Sequence, residues 1–323
     1  MVISRRHMLQ LAGVSSLAAA FNHAVKAEAG TMPAAAALPY GVTTAAHIKS
    51  AALRVRDLPG MSRYYQDTLR LQVLAESADE VMLGVANEPL LYLTSIPDAG
   101  FEDPTSAGLF HIAYLMPTRV DLARWLVHAA VAKIPLDGFA DHSVSEAIYL
   151  TDPEGNGIEV YSDRPRDKWQ WKDGVVTMGT KELDIDAIAA LTDMSKDTYD
   201  AAPEGLRIGH IHLRVGDIEE AQKFYSGAVG LDVTAGRHGA LFMSSGHYHH
   251  HVGNNIWQSA GAGPRDEDRA GLAWFAMEAS PEALTAVREH LKGANVPTAD
   301  TNSGLEARDP WGTCVRFTPA TPY

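Results

Sequence analysis

The chain has 323 residues, enough for about two domains with full cores, and its composition is that of an ordinary globular protein. A formal net charge of −13 argues against nucleic acid or an anionic membrane as partner, since both reward clustered Lys and Arg. Cys314 is the single cysteine, which excludes an internal disulfide and a thiolate metal site, whereas histidine is plentiful at 14.

The N-terminus reads as a targeting segment. Ser4-Arg5-Arg6-His7 is a charged opening, the apolar run to Phe21 is too short to span a bilayer, and Val25-Lys26-Ala27 offers a small-residue cleavage site. The Arg5-Arg6 pair is similar to the twin-arginine export signal, so residues 1–27 are expected to be a signal peptide cleaved after Ala27. The mature protein is then expected in the periplasm, free of the membrane. The Ala/Pro-rich segment 28–45 reads as a linker.

A first unit follows. Leu53 and Val55 alternate as in a strand, Asp57 caps a helix, and that helix carries Tyr64 and Tyr65 on an amphipathic pattern. A second unit opens on Gly108-Leu-Phe-His111-Ile-Ala-Tyr-Leu-Met116, continues through a helix near 121–133, and closes in a hairpin over 149–161. The hairpin turn, Asp152-Pro153-Glu154-Gly155-Asn156-Gly157, is dense in residues that fix φ or tolerate positive φ. A polar connection, 164–206, holds a short helical run near 185–191. The text of the first unit then recurs as Leu213-Arg-Val-Gly-Asp217 with Phe224-Tyr225, and a fourth unit runs from Gly271 through a helix near 281–293. It ends in Arg308-Asp309-Pro310-Trp311-Gly312, which repeats the hairpin turn in form. This internal repeat predicts an α+β protein of four βαβββ modules, the first two in a domain over 46–163 and the last two in a domain over 207–323.

Glu159 sits in the returning hairpin strand between Ile158 and Val160, so its side chain points to the opposite face. A carboxylate there is costly to bury unless paired or bound to a cation, and a solvated face is the plain alternative. Aligning the units places Ser50, His111, His210 and Trp274 at one first-strand position. The last-strand positions fall near Leu91–Leu93, at Glu159, at the histidines 249–251, and at Arg316. Singly, each has a bland reading: His111 as a hydrogen-bonded core histidine, His212 as a competitor of His210 on the same face, and the run from His247 to His251 as a loop that binds metal by chance. Jointly, the ligand types fall on equivalent positions of two repeats out of four. Two histidines and one carboxylate form the facial triad of non-haem Fe(II) oxygenases, although Mn, Ni or Zn would accept the same ligands.

The stretches Gly209-His210-Ile-His-Leu-Arg-Val-Gly-Asp217, Tyr149 to Glu159 and His249-His-His-Val-Gly253 resemble the vicinal oxygen chelate superfamily. Within it, Leu109 to Pro117 and Asp141 to Tyr149 are similar to extradiol catechol-2,3-dioxygenases. The resemblance implies two half-open β-barrels, with modules 2 and 3 facing each other and modules 1 and 4 paired alongside. It implies His111, His210 and Glu159 as ligands of Fe(II), with Mn(II) as the alternative. Tyr149 would hydrogen-bond the substrate, His250 would act as acid and base, and His142 matches a second pocket histidine at shorter spacing. The implied reactants are O2 and catechol or a related aromatic diol. A glyoxalase-type isomerase or epimerase on the same metal site is the runner-up, disfavoured because module 3 supplies histidines where glyoxalases commonly place a carboxylate. A metal-free binding or resistance protein is the third reading, since modules 1 and 4 lack the ligands. No Gly-rich phosphate loop is present. A homo-oligomer, and which of His249, His250 and His251 faces the metal, are left open.

Overall fold

The computed structural model describes residues 38–302 and 304–320, so the expected signal (1–27) and residues 28–37 of the expected linker lie outside the described residues. Module 1 comprises β1 (Ala46–Val55), α1 (Leu58–Leu69), β2 (Gln72–Glu76), β3 (Glu80–Val85) and β4 (Glu88–Ser95), followed by a short β5 (Gly100–Phe101). Module 2 comprises β6 (Gly108–Leu115), α2 (Arg119–Val131), β7 (Gly138–Asp141), β8 (Ser145–Thr151) and β9 (Gly157–Asp163). The connection holds β10 (Trp171–Lys172), β11 (Val175–Val176) and α3 (Ile185–Ala189). Module 3 comprises β12 (Arg207–Arg214), α4 (Ile218–Gln222), which continues into a π turn over Lys223–Ala228, β13 (Asp232–Arg237), β14 (Ala240–Ser244) and β15 (Val252–Asn255). Module 4 comprises β16 (Arg269–Ala279), α5 (Pro281–Gly293), β17 (Thr298–Thr301), β18 (Gly304–Arg308) and β19 (Cys314–Pro319).

Each crossover helix starts where a short polar side chain accepts a free N–H of the first turn. Asp57 accepts from Gly60, Thr118 from Asp121, Asp217 from Glu220, and Ser280 from Ala283. Within every module the first and last strands run parallel and adjacent. One sheet has the order β13-β14-β15-β12-β6-β9-β8-β7 and the other β17-β18-β19-β16-β1-β4-β3-β2. Modules 2 and 3 therefore share one curled sheet through the antiparallel pair β6·β12, and modules 1 and 4 share the other through β1·β16, as expected. One buried apolar cluster draws Leu53, Tyr114, Leu213 and Phe275 from the four modules, so the two sheets close on a common core.

The central strand pairs carry a feature that positions the site. Opposite β12, β6 skips Phe110, and opposite β6, β12 skips Gly209; each is the extra residue of a bulge, and each immediately precedes a histidine. The bulge lets Ile208 and Ile211 both reach the core while His210 and His212 turn to the concave face. Gly209 is needed for this: a Cβ there would lie 1.8 Å from Tyr161 Oη. In the other sheet the skipped residues are Lys49 and Ala273, again one residue before Ser50 and Trp274.

The register corrects one alignment. Glu159 pairs with Ala113, two residues beyond His111, and the matching place opposite His212 is Gly253. The histidines 249–251 are not at the last-strand position; they precede β15 in a loop. A Cβ at Gly253 would come within 3.1 Å of the His212 ring, so that place is filled by a neighbour's imidazole instead.

The turns before β9 and β19 stitch successive modules together. Tyr65 of α1 donates to Asp152 at 2.9 Å, and Tyr225 donates to Asp309 at 3.0 Å. Glu154 accepts the N–H groups of Arg56 and Asp57, at the entry to α1. Two expected connections pack closely. Gly41 accepts from His251, Tyr40 lies under the Arg166 guanidinium, and Thr44 is buried. Met178 and Thr180 of the 164–206 segment line a cavity on the module 2–module 3 sheet, and among the described residues no helix is long and apolar enough to cross a membrane.

Candidate metal centre

His111 on β6, His210 on β12 and Glu159 on β9 come together on the concave face of the module 2–module 3 sheet, all buried. His111 Nε2 lies 3.0 Å from Glu159 Oε2, His210 Nε2 lies 3.3 Å from the same oxygen, and the two nitrogens are 3.2 Å apart. Three donors at right angles around an ion, with bonds of about 2.1 Å, would lie about 3.0 Å apart. The triangle and its N,N,O donor set therefore fit a divalent transition metal bound on one face. Glu159 is not solvated; among the described residues its ion-pair partners are the two histidines.

The electrostatics suit metal ligation. Burial opposes ionisation of Glu159, yet His210 and His111 hold its carboxyl well below the usual range. Burial pushes His210 down to about 4 against the pull of Glu159. At neutral pH the group is a carboxylate facing neutral His210, the protonation state a metal requires. His212, the sequence competitor, is absent from the triangle; it hydrogen-bonds Asn255 at 3.1 Å, meets His111 edge-on and packs at a tilt against Phe110.

A cavity of about 310 Å³ opens beside the triad, with Phe110, Phe139, Phe242 and Trp257 among its walls. Tyr149 on β8 pairs with Glu159 across the hairpin and lines it. Burial, then the Glu159 charge, pushes the Tyr149 phenol well above its ordinary value, so it remains O–H. His142 Nδ1 donates to the Gly179 carbonyl at 2.7 Å, which leaves its Nε2 to accept from Tyr149 Oη at 2.6 Å. Of the consecutive histidines, His250 lines the cavity, its ring centroid 4.0 Å from that of His210. Burial, then the neighbouring imidazoles, push His250 well below 6.5. His249 stands behind it, and His251 turns away to donate to Gly41 at 2.7 Å. All six residues expected at the site are thus brought to one place.

These features define a double-half-barrel protein with a candidate metal centre in one half. Residues 46–160 and 207–317 match the model of the glyoxalase/bleomycin resistance protein/dioxygenase superfamily, and the chain belongs to that superfamily. It is similar to the catechol-2,3-dioxygenase of Bacillus subtilis (strain 168), with 36% identity over 270 residues that cover 82% of this chain and 94% of that one. A shorter stretch of 114 residues is 29% identical to biphenyl-2,3-diol 1,2-dioxygenase 3 of Rhodococcus globerulus, covering 34% of this chain and 60% of that one. Glyoxalase I from Zea mays shares the fold at a TM-score of 0.51 and 14% identity, over 87% of this chain and 94% of that one.

Sequence reasoning missed the cavity walls. Phe242 pairs with Gly253 as Tyr149 pairs with Glu159, so it is the module 3 counterpart of Tyr149. Trp257 follows β15 in an irregular segment, and no pattern in the chain marks it. Asp163, which accepts from His249 at 2.8 Å, was also unassigned; its signal was the histidine run itself, which needs buried acceptors.

Proposed function

We propose that the protein is a metal-dependent extradiol dioxygenase that opens the ring of catechol or a related aromatic diol with O2. The observation that carries this reading is the facial His111–Glu159–His210 triangle beside Tyr149 and His250, in a chain similar to a catechol-2,3-dioxygenase. His111 Nε2, His210 Nε2 and Glu159 Oε2 would hold the ion, which we propose is Fe(II). When bound, it supplies Lewis acidity, a template for both reactants and electron exchange between them.

The chain's own residues do the rest. Phe110, Phe139, Phe242 and Trp257 make an apolar slot that takes a flat ring and excludes water. Tyr149 hydrogen-bonds the diol oxygen nearest β8, its hydroxyl held in direction by His142. His250 takes the proton of a diol hydroxyl at its ring nitrogen and later returns it to the leaving oxygen, as a buried neutral imidazole can. Both oxygen atoms enter the product, a semialdehyde of muconate type.

The test is anaerobic purification with Fe(II), metal analysis and oxygen uptake with catechol, with His210→Ala as control. About one iron per chain, oxygen consumption and a yellow product that the variant abolishes are expected. Bound metal without oxygen uptake across several catechols would point to isomerase chemistry instead. No bound metal would leave a binding protein. We also propose export to the periplasm, on the Arg5-Arg6 pair and the apolar run that follows. N-terminal sequencing of the protein from the periplasmic fraction of its native host should begin after Ala27, and a chain that retains Met1 and stays out of that fraction would overturn it.

A further inference from the structure

The loop before β15 buries four consecutive ring side chains, Tyr248, His249, His250 and His251. Buried polar groups need partners, and here the partners form a chain. His249 Nε2 lies 2.8 Å from Asp163 Oδ1, His249 Nδ1 lies 2.8 Å from His250 Nδ1, and His250 lines the cavity. Tyr248 Oη donates to the same Asp163 oxygen at 3.2 Å and bonds Tyr161 Oη at 2.7 Å. Neither Asp163 nor His249 lines the cavity at the triad.

We propose that Asp163 and His249 are positioning residues that fix the tautomer and orientation of His250, so that its Nε2 presents a lone pair to the bound diol. The inference rests on the reading of His250 as the proton-accepting group.

The direction of each bond follows from what each atom can do. The carboxylate oxygen only accepts, so His249 carries its hydrogen on Nε2. A neutral His249 then has a bare Nδ1. The short contact between the two Nδ1 atoms holds one hydrogen, which must come from His250. A neutral His250 protonated on Nδ1 has its lone pair on Nε2, an atom with no hydrogen-bond partner among the described residues. A carboxylate thus sets, two rings away, whether the cavity meets an acceptor or a donor. Without it, His249 can carry hydrogen on Nδ1, His250 must then accept there, and Nε2–H faces the diol.

Asp163 Oδ1 takes both donors, and Asp163 also lines a second cavity of about 390 Å³ that has Arg164 and Arg166 in its walls. The arrangement parallels other sites in which a carboxylate holds an imidazole in the tautomer its chemistry needs. It differs in acting through an intervening imidazole.

Long-range proton–nitrogen correlation on metal-free protein labelled with ¹⁵N-histidine reads the tautomers directly. In the unaltered chain we expect His249 as the Nε2–H form and His250 as the Nδ1–H form. Asp163→Asn should shift both populations, and in iron-loaded protein lower kcat by about 10- to 100-fold. The KM for the diol and the iron content should stay unchanged, because Asp163 touches neither. His250 as the Nε2–H form in the unaltered chain would overturn the inference, and that result needs no variant to fold. So would an Asp163→Asn protein that keeps both tautomers and kcat. An unaltered chain that takes up no oxygen would count against the dioxygenase reading alone.

Discussion

The two half-barrels share strand order and the bulges of their central strand pairs, yet among the described residues only one gathers a cluster that could hold a metal. Behind the bulges of the module 2–module 3 sheet stand His111 and His210; behind those of the module 1–module 4 sheet stand Ser50 and Trp274. Glu159 has as counterparts Tyr92 and Arg316, and Tyr149 has Met82 and Glu306. In the second sheet these residues satisfy one another. The Arg316 guanidinium lies 4.1 Å over the Trp274 ring and donates to Glu306 at 2.7 Å, while Tyr92 packs 5.1 Å from Trp274. The comparison shows that the backbone supplies the place and the side chains supply the chemistry. A cation already occupies the second half-barrel, covalently attached.

The largest effect that would break the comparison is loss of the ion that the triad is proposed to hold. Glu159→Gln keeps the shape of the side chain and removes the charge the metal needs. We expect iron content to collapse and oxygen uptake to fall by about 10³-fold or more, since a metal contributes several kcal/mol to the reaction. Retained iron with full turnover would sink the triad assignment. A second test asks whether the halves are equal where they look equal. Asp152 accepts from Tyr65, from the Glu154 and Asn156 N–H groups and from the Asn156 amide, and Asp309 accepts from Tyr225, Trp311 and Thr313. Asp152→Ala and Asp309→Ala should each cost about 3 kcal/mol in denaturant unfolding, because each strands several buried donors. A cost near zero at either position would show that the two turns are alike only in appearance.

Much of this was legible in the chain because the repeat is written in it. Asp57 with Tyr64-Tyr65 and Asp217 with Phe224-Tyr225 mark the same place twice, and the turns at Asp152 and Asp309 mark another. His111 and His210 could be picked out because they fell on equivalent positions, and Glu159 because it is a carboxylate between Ile158 and Val160 in a strand. The bulges could not, since Phe110 and Gly209 break alternation only by reference to a partner strand. That partner lies 99 residues away for His111 and His210. The same limit explains the misplaced histidines 249–251: only the pairing of His212 with Gly253 shows that they precede the last strand.

Acid should separate the metal-free protein from its unfolded chain through the buried imidazoles. Burial holds His251 down at about 3 and His210 at about 4, against about 6.5 when unfolded. Between those limits the unfolded chain binds protons that the folded chain does not, so stability rises with pH there and is lost as pH falls below about 6.5. Each histidine contributes up to about 1.4 kcal/mol per pH unit within its window. Denaturant midpoints of the metal-free protein across that range should show the slope, and His251→Gln should flatten it. A midpoint constant down to about pH 4 would contradict the burial of these rings.

The smallest expected effect tests the second half-barrel directly. Arg316 is partly exposed, and its interactions with Trp274 and Glu306 lie on the sheet that lacks the ligands. Removing an exposed cation–π contact and ion pair costs about 1 kcal/mol, so Arg316→Ala should lower the unfolding midpoint slightly. Iron content and oxygen uptake should be unchanged, because the modules that hold the triad are paired with each other rather than with module 4. A loss of turnover at unchanged iron content would mean that the two sheets communicate through their shared core, around Leu53, Tyr114, Leu213 and Phe275. In that case the half-barrel without ligands would contribute to the chemistry through packing, and the division of labour drawn from side chains alone would be too sharp.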